Sequence, residues 1–203
     1  MSKNRLHFLG GIILAGFVFV HLSNHALSLI NIKTHIKVME LLRVVYRQPI
    51  FESVLLLTVF SQIFSGLRLF LVHRKKAVTF FEKLQIWSGL YLGIFLIIHL
   101  SAIMAGRYVQ KVDTNIYFGV AGLNTFPFLL FFVPYYAIAI LAFFGHLAAI
   151  HAKKMKYTLL GLNPLNQAKI LLLVGAIVTS LIMYGLTNRF NGVEIPAIYR
   201  LVE

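Results

Sequence analysis

Histidine is the residue through which this sequence can do chemistry. There are eight, at positions 7, 21, 25, 35, 73, 99, 146 and 151, in a chain with no cysteine and only six carboxylates. Without thiols the chain cannot form disulfides, hold zinc or iron–sulfur clusters through cysteine, or attach a c-type haem covalently. A metal centre here must use imidazole, carboxylate or methionine. Four histidines, His21, His25, His99 and His146, fall inside long apolar runs. A polar side chain there is costly unless paired, so function is its default reading. His7, His73 and His151 flank basic clusters and read as interfacial anchors. His35 lies between apolar runs and reads as solvated.

The elements that position these residues follow from hydropathy. The 203 residues are 59% hydrophobic and only 12% charged, far too little charge to clothe a water-soluble domain of this size. A bilayer-spanning helix needs about 20 apolar residues. Five stretches qualify, at roughly 6–30, 50–73, 84–106, 126–152 and 170–188, which predicts an all-α, multi-pass five-helix bundle as one domain over 1–203. The charge-free stretch from Thr114 to Ala152 is too long for one helix, so the fourth span begins near Phe126, with Pro127 and Pro134 in its first half. The first span has a basic start, but its apolar run is longer than that of a signal peptide and lacks an obvious cleavage site. It reads as a retained helix.

The net charge of +13 sits in short clusters between apolar runs, not on one solvated face. Such clusters suit loops at a membrane surface and anionic lipid; nucleic acid is not indicated. With five spans, the N-terminus and the second and fourth loops share a side. That side carries Lys3, Arg5, Arg74, Lys75, Lys76, Lys83, Lys153, Lys154, Lys156 and Lys169, close to the helix ends, which places the N-terminus in the cytoplasm. The first outer loop repeats Lys33, Lys37, Glu40, Arg43 and Arg47 at three- or four-residue intervals beside Ile36, Met39, Leu42 and Tyr46. This predicts an amphipathic helix, lying on the membrane or over the bundle as a lid.

Depth then sorts the histidines. Sixteen residues separate Arg5 from His21, and sixteen separate Lys83 from His99. At ~1.5 Å per residue both imidazoles stand roughly 24 Å from the inner boundary, on helices running the same way. Two neutral imidazoles at one level on different helices are what bis-histidine ligation of haem b requires. The plain alternative is hydrogen bonding between helices. His25, one turn beyond His21 on the same face, suits pairing with a haem propionate or a quinone oxygen. His146, about 10 Å above the inner boundary, lacks a depth-matched partner.

Five spans in about 200 residues, with histidines in the first, third and fourth, resemble the single-chain cytochrome b anchor of succinate dehydrogenases and fumarate reductases. The nearest type is five-helix, dihaem and menaquinone-reactive. The resemblance covers the whole chain as architecture and rests on short motifs. It implies an outer haem on His21 and His99, and an inner haem on histidines of helices two and four. His146 matches the latter, whereas the helix-two position is Gln62, within Phe60-Ser61-Gln62-Ile63-Phe64-Ser65-Gly66-Leu67. An amide is a poor iron ligand, so the inner haem is absent, five-coordinate on His146, or ligated in another way. His21-Leu22-Ser23-Asn24-His25-Ala26 and Ser65-Gly66-Leu67 are also similar to membrane domains fused to some class III nucleotide cyclases.

The resemblance implies a cytoplasmic-membrane subunit that passes electrons between quinone and a cytoplasmic-side partner, with flavin and iron–sulfur chemistry on separate subunits. Arg68, one and a half turns into the membrane from Arg74, would pair with an inner propionate or simply snorkel. Glu52, after Pro49 at the outer end of span two, would take protons from a quinol or pair with Arg47. Two other classes fit the same residues: a signalling module reading bound haem or quinone, and a haem-free structural subunit. A transporter is disfavoured by the lack of internal repeats or paired broken helices.

Overall fold

Side chains that take up the first unpaired N–H groups mark where the helices start. In the computed structural model, which describes residues 3–202, α1 spans Lys3–Ala26 and runs into a 3₁₀ turn at Leu27–Leu29. Asn31 caps α2 (Ile32–Tyr46), accepting from the Thr34 N–H at 2.7 Å. Gln48 caps α3 (Pro49–His73), whose proline at the first position needs no N–H partner. Thr79 and Glu82 form a reciprocal capping box at α4 (Phe80–Met104). The chain continues through a π-helical turn at Ala105–Val109, the short α5 (Ile116–Val120), α6 (Leu129–Lys154) and α7 (Pro164–Leu186, capped by Asn163). The side chains of Lys3 and Asn4 and residues 1, 2 and 203 lie outside this description, so the place of Lys3 among the basic residues of the N-terminal side falls there.

Five of these helices are long and apolar enough to cross a membrane: Arg5–Leu29, Pro49–His73, Phe80–Val109, Leu129–Lys154 and Pro164–Leu186. This is the all-α five-helix bundle that hydropathy predicts. The boundaries move where capping overrides hydropathy. α4 begins four residues before the expected 84 because Thr79 and Glu82 nucleate it. α7 begins six residues before the expected 170 because Asn163-Pro164 does the same. The fourth span starts at Leu129 instead of Phe126, because residues 121–128 are still turning.

The spanning helices pack in the order α1–α3–α4–α6–α7 and back to α1, closing a ring. The tight core lies on one side of it, where Val120, Ala121 and Leu123 meet Ile140, Ile182, Met183 and Leu186. On the other side α1, α3 and α4 surround open space and turn Phe19, Leu57, Phe64 and Trp87 outward, as lipid-facing helices do. α2 closes the end of the ring opposite the N-terminus.

Two glycines set close approaches there. Gly106, in the π turn, abuts Thr114 and Phe118; a Cβ would lie 2.8 Å from each. Gly185 of α7 lets the Leu27–Leu29 turn seat against it, since a Cβ would overlap Ser28 Oγ and stand 2.9 Å from the Leu29 backbone N. Backbone cannot yield as a side-chain tip does. Gly185→Ala is therefore expected to destabilise by about 1–3 kcal/mol. Gly16→Ala, with open space around it, should leave thermal unfolding in detergent unchanged or raise its midpoint. Equal midpoints for the two variants would show that this contact does not hold α1 to α7.

Candidate functional site

The open side of the ring is a cavity of about 930 Å³, within the range of cofactor sites. Seven of the eight histidines line it: His7, His21 and His25 from α1, His35 from α2, His73 from α3, His99 from α4 and His146 from α6. His151 instead bonds Gln167 of α7 at 2.8 Å.

Towards the α2 end four imidazoles gather. The His21 and His99 rings face across the bundle with centres 6.3 Å apart and planes at 68°. His21 stacks on Phe17 and His99 on Phe95, at 5.8 and 5.2 Å. These stacks fix both rings from behind. His25 Nε2 lies 3.1 Å from His21 Nε2, and His25 Nδ1 lies 3.3 Å from His35 Nε2. The depth-matched pair therefore meets across the bundle, and His25, one turn further along α1, places its Nε2 against the Nε2 of His21.

His35 corrects the sequence reading. It is only 1% exposed, not solvated. Positions 35, 39 and 43 share one face of α2, and this face, His35-Met39-Arg43, turns into the cavity while Leu41, Val44 and Val45 turn out. The loop helix is thus a lid, one of the two arrangements expected, and it is seated by its polar side. Arg43 bonds Asp113 at 2.8 Å and the Thr114 carbonyl at 2.8 Å, and Arg47 bonds Thr114 Oγ1 at 2.9 Å. Asn24 Nδ2 lies 3.3 Å from His35 Nε2.

Burial, with the neighbouring His21 and Arg43, holds the His35 imidazole down to about 4. The seated lid therefore carries a neutral ring, whereas the released ring takes a proton near its ordinary 6.5. The contribution of His35 to docking is complete above about pH 6.5 and declines as pH falls toward 4. Amide exchange across 32–46, corrected for intrinsic rate, is expected to be faster at pH 5 than at pH 7.5. Equal protection at both would remove His35 as a determinant of lid docking.

At the N-terminal end His7 and His146 line the same cavity, each tied through Nδ1. His7 Nδ1 is 2.7 Å from Ser65 Oγ, and His146 Nδ1 is 3.0 Å from the Gln85 carbonyl and 3.2 Å from Ser88 Oγ. His7 is thus an inter-helix contact facing the cavity, beyond the interfacial anchor expected of it. Gln62 donates its amide to the His7 carbonyl at 2.8 Å and packs against Gly10, so it clamps α1 to α3.

Glu52 also lines the cavity. Its partner is Arg107 rather than Arg47: Nη1 donates to one carboxylate oxygen and Nη2 to the other, the latter at 3.3 Å. The π turn at Ala105–Val109 carries Arg107 to this position, as π-bulges often do at sites. Arg68 is exposed and is not among the cavity-lining residues. Arg107 and Arg43 were missed as site residues; for Arg43 the signal was its i+8 spacing from His35.

Among the described residues no three His, Asp or Glu side chains are arranged around a bare metal ion. A porphyrin-bound iron asks the protein for only two axial ligands. No protein-family model, curated protein or solved structure matches the chain.

Proposed function

We propose that this chain is a haem b-binding, multi-pass subunit of the cytoplasmic membrane that moves electrons between a membrane quinone and a redox partner on the N-terminal side. The observation that carries this reading is the His21–His99 pair: two imidazoles from opposite sides of a helix ring, 6.3 Å between centres, in a cofactor-sized cavity. Imidazole nitrogens each ~2 Å from one metal ion place ring centres roughly 6 Å apart, so the spacing suits one iron between them. His21 and His99 would hold the haem, which when bound supplies one-electron redox chemistry.

The chain's own residues do the rest. Phe17 and Phe95 restrict ring rotation of the two ligands. Apolar helix faces exclude water. Around His25, the Asn24 Oδ1 and His35 Nδ1 atoms are buried without partners among the described residues: Asn24 Oδ1 would accept from a quinol hydroxyl, and His35 Nδ1 carrying the ring proton would donate to a quinone carbonyl, the quinone being of menaquinone type by the resemblance. Flavoprotein and iron–sulfur subunits are the partners this reading expects. The test is a reduced-minus-oxidised spectrum of the detergent-solubilised protein after haem-replete expression. Bands of b type in the α and Soret regions are expected, and a flat difference spectrum would overturn the proposal.

A further inference from the structure

We infer that His7 and His146 are the axial ligands of a second haem, at the N-terminal end of the same cavity. This rests on the haem reading above but on different residues.

Ser65 has a single hydroxyl proton, and it goes to the Ser61 carbonyl at 2.5 Å. Toward His7 the serine oxygen can then only accept, so His7 Nδ1 carries the proton and donates it at 2.7 Å. Neutral imidazole protonated at Nδ1 has its lone pair on Nε2. The same reasoning fixes His146. The Gln85 carbonyl can only accept, and the Ser88 hydroxyl proton is taken by the Leu84 carbonyl at 2.5 Å. His146 Nδ1 is therefore the donor and Nε2 the free base.

Two imidazoles on different helices thus present Nε2 lone pairs to one cavity, each held by an Nδ1–H bond to a neighbouring helix. This is how proteins orient and strengthen metal-binding histidines.

The surroundings fit a porphyrin. A glycine stands where a larger side chain would crowd one ring: a Cβ on Gly89 would lie 3.0 Å from His146 Cε1 and 3.3 Å from His146 Nδ1, whereas Gly66 faces His7 at ordinary contact distance. Haem also brings two carboxylates, which require cations. Lys76, Lys153 and Lys154 line this end of the cavity, and none is in an ion pair among the described residues. Gln62, in the position where the resemblance puts an iron ligand, has its amide committed to the His7 carbonyl. The ligand it would have supplied comes instead from α1.

The test is haem stoichiometry and a spectroscopic redox titration on the purified full chain. The wild type is expected to carry about two haems per chain, and His7→Ala and His146→Ala each to lose about half of the haem and the same redox component. His21→Ala should lose the other component. His7→Met should keep the haem and raise the potential of one component alone, since a thioether ligand in place of imidazole favours the reduced iron. One haem per chain in the wild type, removed by His21→Ala, would overturn this inference and leave the proposed function standing. Loss with His146→Ala but not His7→Ala would overturn it too, in favour of a five-coordinate site. If His7→Ala fails to fold, His7→Met decides: unshifted potentials refute the assignment. No haem in the wild type would sink both readings.

Discussion

Replacing His99 by alanine is expected to abolish the main low-spin haem signal while leaving the bundle folded. Among the described residues the ring makes no hydrogen bond; it stacks on Phe95 and faces the cavity. Truncation removes a proposed iron ligand, breaks no polar network and only widens space already open. Changing the outer hydrogen-bond partners of a metal ligand already costs ~10–100-fold in metal affinity, so loss of the ligand itself should exceed that. His21→Ala should give the same spectral loss but also frees His25, whose Nε2 sits 3.1 Å from His21 Nε2. His99→Ala is therefore the cleaner variant. His146→Ala should keep the His21–His99 signal largely intact. Spectra recorded on protein of matched helicity would show this. Loss of the same redox component in all three variants would mean that the imidazoles are not paired as proposed.

Much of this site was legible in the sequence because the relevant physics is one-dimensional. Span number follows from hydropathy, and equal residue counts from basic boundaries brought His21 and His99 to one level. What failed was anything depending on how a helix rolls or where a cap falls. His35 looked solvated because its neighbours are charged, yet α2 buries that face. The i, i+4, i+8 spacing of His35, Met39 and Arg43 was visible, but the sequence does not say which side of an amphipathic helix meets the bundle. In a membrane-end lid the buried side can be the polar one. His7 looked like an anchor because Arg5 is two residues away. Its link to Ser65 is a contact between residues 58 positions apart, and no local pattern reports it. Arg107 could not be placed without the π turn, which shifts the helix face by a fraction of a turn at the point where Glu52 waits.

That last contact should be the strongest polar fastening at the α2 end. The Arg107 and Glu52 side chains are 20% and 21% exposed, between the exposed pairs that contribute ~0.2–1 kcal/mol and the buried ones whose disruption costs ~3–5 kcal/mol. Glu52→Ala is thus expected to cost about 2 kcal/mol, mostly because it leaves Arg107 facing an apolar cavity without its counter-charge. Arg107→Met should cost a similar amount by stranding the carboxylate. The double variant should recover part of the loss, since both groups are then neutral, and a coupling of at least ~0.5 kcal/mol should appear in the cycle. Strictly additive midpoints would mean that the two groups do not stabilise each other. Glu52→Gln separates this structural role from proton uptake. The amide keeps the shape but not the charge, so a fastening predicts reduced stability with Gln as well. A proton acceptor for quinol predicts ordinary stability with slowed quinol oxidation. With both carboxylate oxygens on one guanidinium, the first outcome is the expected one.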